Sequence, residues 1–268
     1  MEVVKTIDQI NDLKDNKIMG NPKLNNVTIS FAGKGNILYC ENNVTLSNCR
    51  ITFWGENSLV YLSSSDSPYP LSLDIFKNST FYIGKDALLV RTTYINVQEH
   101  KNIIIGDDCS FASNVSIRTS DPHIIYDSNT KKRVNHSYST YIGDHVWLGH
   151  QAYVGKGVKI GSGAILDNNS YASSYSVLKS NTLYGGNPVN IIQNEVFFTK
   201  DYTGSLRKED SADVEEYKSR IFLFSNTPGE TLDFDKIDSI ISKFDVNEKL
   251  NFIQKLFIQN KKHNRFAI

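Results

Sequence analysis

From Ile142 to Pro188 the chain keeps a six-residue rhythm. Ile142, Leu148, Val154, Ile160, Leu166, Ala172, Leu178 and Tyr184 recur without a slip, and glycine directly follows the first four. A helix, at 3.6 residues per turn, would scatter these positions around its cylinder, and a lone strand alternates at period two. A fixed six-residue repeat implies short strands joined by corners, coiled so that each repeat sends one apolar side chain inward. The glycine then relieves the tight turn beside it. The spacing predicts a mainly β chain organised as a parallel β-helix.

The same register surfaces upstream in two triplets, Ile83, Leu89, Ile95 and Ile105, Phe111, Ile117, separated by a short excursion near Gln98 to Lys101. It stops for residues 118–141, a polar stretch reading RTSDPHIIYDSNTKKRVNHSYSTY, and resumes at Ile142. A regular solenoid needs nothing from such an insertion, which marks it as a place for function. Before residue 80, alternating runs such as Val27, Ile29 and Phe31 predict strands in irregular coils. Val3, Ile7, Ile10 and Leu13 stand at helical spacing and predict a leading helix over residues 2–14. Three segments organise the chain: a leading helical segment (1–20), the β-helix (21–192, with the protruding loop 118–141), and an α-helical C-terminal appendage (193–268). In the appendage, helices are expected over Ser211–Phe224, around Phe234 to Phe244 and around Leu250 to Phe257, capping the open end of the coil by default.

Composition excludes several classes. Lys+Arg and Asp+Glu are equal at 29, so no overall charge favours nucleic acid. No apolar run approaches the roughly 20 residues of an integral membrane segment. Three cysteines (Cys40, Cys49, Cys109) form no disulfide framework, which points to a reducing, cytoplasmic setting.

Hexapeptide repeats closed by Gly186-Asn187-Pro188 resemble those of the left-handed β-helix acyltransferases. Within that superfamily, Ser-Asp-Pro-His123 followed by Ile-Gly-Asp-His-Val-Trp147-Leu-Gly is similar to the O-acetyltransferases of sugars and surface polysaccharides. The likeness covers residues 80–192. It implies a left-handed coil, a homotrimer with sites in the clefts between coils, acetyl-CoA as donor, and a sugar or capsular polysaccharide as acceptor.

The chemistry fits the residues. A sugar hydroxyl is a poor nucleophile at neutral pH and needs a base within hydrogen-bond reach. Histidine is suited to that task. By resemblance His123 is the base; without it, His123 reads equally as an exposed loop histidine. Trp147 precedes the inward Leu148 and therefore projects outward, against another subunit, the pantetheine arm or a sugar ring. Asn114, Asp121 and His145 are candidates for acceptor contact, although Asp121 also suits a turn. The donor groove is expected to use Trp147, Gly149 and Gly155, with Lys156, Lys159 and above all Lys179 available to phosphates. Asp167 to Tyr171 and Asn190 depart from the family pattern there. His145 and His150 stand five apart, a spacing shared with metal-binding pairs of β-helix carbonic anhydrases. No third ligand stands at the required position, and no metal is expected. The alternatives are an N-acetyltransferase of an amino-sugar nucleotide and a non-catalytic β-helix binding module.

Overall fold

The computed structural model describes residues 1–205 and 214–268. Two sheets of eight strands and one of six surround a single apolar column. Pairing is parallel except at two edges, where Glu2–Val4 and Asn190–Asn194 add antiparallel strands. Ile142 lies on the second sheet, Leu148 on the third and Val154 on the first, and Ile160 then returns to pair directly with Ile142. Three hexapeptides therefore make one turn. All eight inward residues from Ile142 to Tyr184 are at most 4% exposed. Full burial of each Leu or Ile is worth about 1.5–3 kcal/mol, so this column is the main stabilising element of the coil.

The N-terminal coils obey a different period. Phe31, Phe53, Ile75 and Val97 stack in register, each 22 residues after the last. Strands of the first and second sheets there send two side chains inward, such as Ile29 with Phe31 and Leu38 with Cys40, so the six-residue rhythm is absent. Both later excursions, Gln98 to Lys101 and the long loop, leave the coil at the same corner, between the first and second sheets.

Three expectations require correction, two in local structure and one in the placement of the C-terminal helices. The leading segment is no α-helix: Glu2–Val4 is a strand, Ile7–Asp12 a 3₁₀ helix, and Lys17–Met19 already pairs with Ile37–Cys40. Val4 is fully buried against the first strands, a tertiary gain that overrides the helical spacing. The helix expected over Ser211–Phe224 is also absent in its described part, residues 214–224, while Ser211 lies outside the described residues. Tyr217 joins an aromatic cluster instead, meeting Phe197 at 5.2 Å and Phe222 at 5.8 Å, while Val214 and Ile221 are exposed.

The remaining helices form where expected: α1 (Phe234–Ile241), capped by Asp233, and α2 (Val246–Ile253), capped by Asp245 and continued by a π-helical turn to Ile258. They do not close the end of the coil. They lie along its side, covering the outer surface of the second sheet, where Tyr141 stacks on Phe234 at 4.7 Å and Tyr82 on Phe257 at 5.0 Å. Arg265 fastens this layer. Its guanidinium, 3% exposed, donates to Asp144 at 2.7 Å and 2.9 Å and lies 2.8 Å from Asp107.

Lys249 is buried under the same layer, its Nζ donating to the Asn57 carbonyl at 2.9 Å. Burial pushes its pKa down to about 8 against an opposing pull from Asp245. Between pH 8 and the ordinary lysine value the unfolded chain holds more protons than the folded one, so stability rises with pH across that window. Denaturant titrations from pH 7.5 to 10 are expected to show this rise, and Lys249→Met to flatten it.

Candidate active site

The long loop leaves the first sheet after Arg118 and rejoins the second at Thr140. Its base is tied to the excursion one coil earlier. The Thr119 Oγ1 accepts from the Gln98 backbone amide at 2.8 Å, and the Ser120 hydroxyl donates to Gln98 Oε1 at 2.7 Å. Arg133 forms a two-pronged pair with Glu99, at 2.8 and 2.9 Å, and Ser137 adds a hydrogen bond of 2.6 Å. Arg133 first, and Ser137 next, hold the Glu99 carboxyl down to about 2. The contribution of this clamp is therefore complete above the ordinary carboxylate range and is lost only as pH falls toward 2.

Inside the loop one side chain organises the backbone. Asn135 donates through Nδ2 to Asp121 Oδ2 and to the His123 carbonyl, both at 2.8 Å, and accepts from the Ile125 amide at 2.8 Å. Asp121 also receives Lys156 Nζ at 2.6 Å, from the next coil. Burial raises the Asp121 pKa, but the bonds from Lys156 and Asn135 outweigh it and the net shift is downward. Lys156 is only 5% exposed, so this pair is a fixed charge-assisted contact rather than a loose surface bridge. The result is a rigid strap that presents His123. Its side chain is exposed and makes no hydrogen bond among the described residues.

Trp147 stands on the third sheet, 41% exposed, with Phe198 tilted against it at 5.6 Å. Gly149 follows on the same wall, where a Cβ would come within 2.6 Å of the Asn168 backbone nitrogen. His145 takes a structural place at the corner before Trp147. Asp108 Oδ2 lies 2.6 Å from its Nδ1 and the Phe198 carbonyl 2.9 Å from its Nε2. Its ring is sandwiched between Phe198 at 4.1 Å and Phe222 at 3.9 Å. With 1% exposure it offers no surface to an acceptor in the single chain. Asp108 is held ionised by His145 and Lys200, whose bonds outweigh the upward push of burial.

The other expected residues are dispersed. Asn114 occupies a left-handed corner, φ 60, between the third and first sheets, and is exposed. Gly155 ends the neighbouring strand of the first sheet, 3.1 Å from the Ala172 carbonyl at its Cβ position. Lys179 is exposed near the end of the coil, its backbone amide donating to the Tyr184 hydroxyl at 2.8 Å. Lys156 and Lys159, expected as phosphate partners, are engaged by Asp121 and Asp235. One chain thus brings Asp121 to His123 but leaves Trp147 and Gly149 on a different wall. Sequence reasoning missed Asn135 and the Lys156 anchor. A long polar insertion containing one Asp, one Asn and a lysine one turn onward was the available signal, but the pairing is decided by stacking, not spacing.

Asn135→Ala removes the acceptor of the Ile125 amide and the restraint on the His123 carbonyl. A net hydrogen bond is worth about 1 kcal/mol, so amide exchange at Ile125 is expected to accelerate by roughly fivefold, with the coil amides unchanged.

Residues 139–172 match the family model described as bacterial transferase hexapeptide (six repeats). The polysialic acid O-acetyltransferase of Neisseria meningitidis is 29% identical over 135 residues, covering 50% of this chain and 62% of that protein. The polysialic acid O-acetyltransferase of Escherichia coli O1:K1 / APEC is 30% identical over 132 residues, covering 47% and 42%. The chain thus spans less than two thirds of the length of these relatives. Among solved structures, the polySia-specific acetyltransferase NeuO superimposes with a TM-score of 0.62 at 28% identity, over 74% of this chain and 95% of that one. The polysialic acid O-acetyltransferase OatWY does so at 0.59 and 24%, over 74% and 93%. The fold is that of the left-handed β-helix transferases: the parallel coil is as the repeat predicts, and its hand is as the resemblance implies.

Proposed function

We propose that this chain is a hexapeptide-repeat acyltransferase of the polysaccharide O-acetyltransferase branch and that it moves an acetyl group from acetyl-CoA to a hydroxyl of a sugar chain, with capsular polysaccharide as the acceptor class. The observation that carries this reading is the strap around His123: the one long break in the regular coil is pinned by Asn135, Asp121 and Lys156, yet leaves the imidazole itself unengaged among the described residues. A base held still and left free is the arrangement that general-base catalysis requires.

On this reading an unprotonated ring nitrogen of His123 takes the acceptor hydroxyl proton as the oxygen attacks the thioester carbonyl carbon. The tetrahedral intermediate collapses, the C–S bond breaks, and the imidazolium returns the proton to the departing thiolate. The ester and free CoA leave. Trp147 and the small residues Gly149 and Gly155 would line the approach of the donor, and Lys179 would meet its phosphates. Asn114 remains a candidate for acceptor contact.

His123 and Trp147 stand on different walls of one chain, which supports assembly as a homotrimer. The loop tip is apolar and uncovered, with Ile124, Ile125, Tyr126 and Val134 all more than half exposed. The third wall likewise exposes Trp147, Ile191 and Ile192. A threefold arrangement laying the tip of one copy on the third wall of the next would cover both and bring base and donor groove together. A cytoplasmic site of action suits three free, buried cysteines and a cytosolic acetyl donor. Among the described residues no helix is long and apolar enough to cross a membrane.

Thiol release from acetyl-CoA with a panel of oligosaccharide acceptors tests the reading. His123→Ala is expected to lose 10²–10⁴-fold in kcat with an unchanged thermal midpoint, the range typical of a lost general base. Near-full turnover by the variant sinks the mechanism, and acetylation confined to the nitrogen of amino sugars favours the N-acetyltransferase alternative.

A further inference from the structure

Where the long loop returns to the coil, a cavity of about 210 Å³ lies between the loop base, the corner of the adjoining coils and α1. The proposed transfer chemistry makes no use of it. Tyr138 and Tyr175 form its rim, 47% and 49% exposed, with ring centroids 4.9 Å apart and planes at 85°. Together they make an open aromatic angle. Lys159 and Asp235, paired at 2.8 Å, also line it.

The coil makes room for this pair at a conformational cost. Tyr175 sits at φ 69, in the left-handed region that bulky side chains avoid. The stacked position one turn earlier is Gly157, at φ 70, which is what such a corner prefers. A Cβ on Gly157 would fall 2.9 Å from Tyr175 Cδ1 and 3.0 Å from Tyr138 Cβ. Glycine at 157 admits both rings, and tyrosine at 175 is kept against the backbone preference. Left-handed corners recur around the coil, as at Asn114 and Gln151, and what sets this one apart is the half-exposed aromatic ring it carries beside an open cavity. Lys156 Nζ lies 6.0 Å from the centre of the Tyr175 ring, while its own position is fixed by the ion pair with Asp121, so the aromatic angle adjoins the strap without holding it.

We propose that this corner is a subsite for a pyranose ring of the acceptor, one removed from the ring that is acetylated. The C–H face of the sugar would lie on a tyrosine ring, and its hydroxyls would exchange hydrogen bonds with Asp235 and Lys159. Apolar stacking with a few placed polar groups is the chemistry such a ring requires. The inference rests on the reading of the protein as a glycan acetyltransferase but concerns a separate surface.

Tyr175→Gly tests it, with Tyr175→Asn as a second variant that also tolerates the left-handed region. Both are expected to keep or raise the thermal midpoint, because they relieve the backbone. Both are expected to raise KM for tetrasaccharide acceptors about tenfold, the equivalent of one good stacking contact, with kcat and the KM of monosaccharide acceptors unchanged. Saturation-transfer NMR without acetyl donor, using tetramers of sialic acid, N-acetylglucosamine and glucose, reads binding independently of catalysis. Binding of one tetramer by the wild type and its loss in both variants supports the subsite even if no acetyl is transferred, a result that would remove the catalytic reading alone. Binding of no tetramer by the wild type, or equal binding by wild type and variants, overturns the subsite. A lowered midpoint with unchanged binding makes Tyr175 a packing residue and overturns it too.

Discussion

Successive coils stand one strand spacing apart, about 4.8 Å, and each corner must close within that distance. At the corner between the second and third sheets this is met backbone to backbone. A Cβ on Gly106 would lie 2.6 Å from the Asp144 nitrogen, and one on Gly143 would lie 2.5 Å from the Ser162 nitrogen. The amides exposed by the turn are satisfied by side chains from the next coil. Asp107 Oδ1 accepts from the Lys85 amide, Asp144 Oδ1 from the Asp107 amide, and Ser162 Oγ from the Asp144 amide. A corner interlocked this way has no room for extra residues. Both excursions of the coil are found at a different corner, between the first and second sheets.

That division separates rigid wall from working part. The interlocked corner also recruits the tail: Arg265 inserts between Asp107 and Asp144, and Lys200 reaches Asp108. The same carboxylates thus stabilise the turn and anchor the C-terminal layer over the second sheet. On the opposite side of that sheet, the strap borrows its stiffness from the coil through Lys156 and Glu99. A buried charge pair contributes little net stability, since desolvation offsets attraction. What Lys156 and Asp121 do supply is direction, because a lysine with 5% exposure holds its partner to one geometry.

The regular coil from Ile142 to Tyr184 was legible because one inward residue per hexapeptide is a one-dimensional code. The N-terminal coils were not, because two inward residues per strand and a 22-residue turn spread the same code over a longer window. The leading segment misled for a physical reason: Val3, Ile7, Ile10 and Leu13 match helical spacing, yet Val4, off that pattern, is the buried residue. The side-on position of the tail had a signal that spacing alone ignored. Ile37–Cys40, Leu59–Leu62 and Asn102–Ile105 are runs almost without polar interruption, as expected of strands buried on both faces. Within the candidate site, the exposed loop position of His123 and the outward projection of Trp147 were readable from local sequence. Asn135 was not, since its three hydrogen bonds are made across ten to fourteen residues of irregular loop.

The covering of the molecule bears on how the proposed machinery would be completed. The second sheet is hidden beneath α1, α2 and the chain end, and the adjoining corner beneath Phe198 and Phe222. What remains open is the first sheet, the third sheet and the corner that carries the strap. The first sheet mixes polar side chains, among them Arg50 locked to Asp74 and Ser72, with exposed rings such as Tyr94, whereas the third presents Trp147 and the exposed isoleucines of its edge strand. In the proposed trimer the apolar loop tip would find its complement on the third sheet, and because the two lie on different walls of one chain the contact would be made between copies. Repeated around a threefold axis, the same contact that hides the apolar surface would also deliver His123 to a neighbour's Trp147 wall.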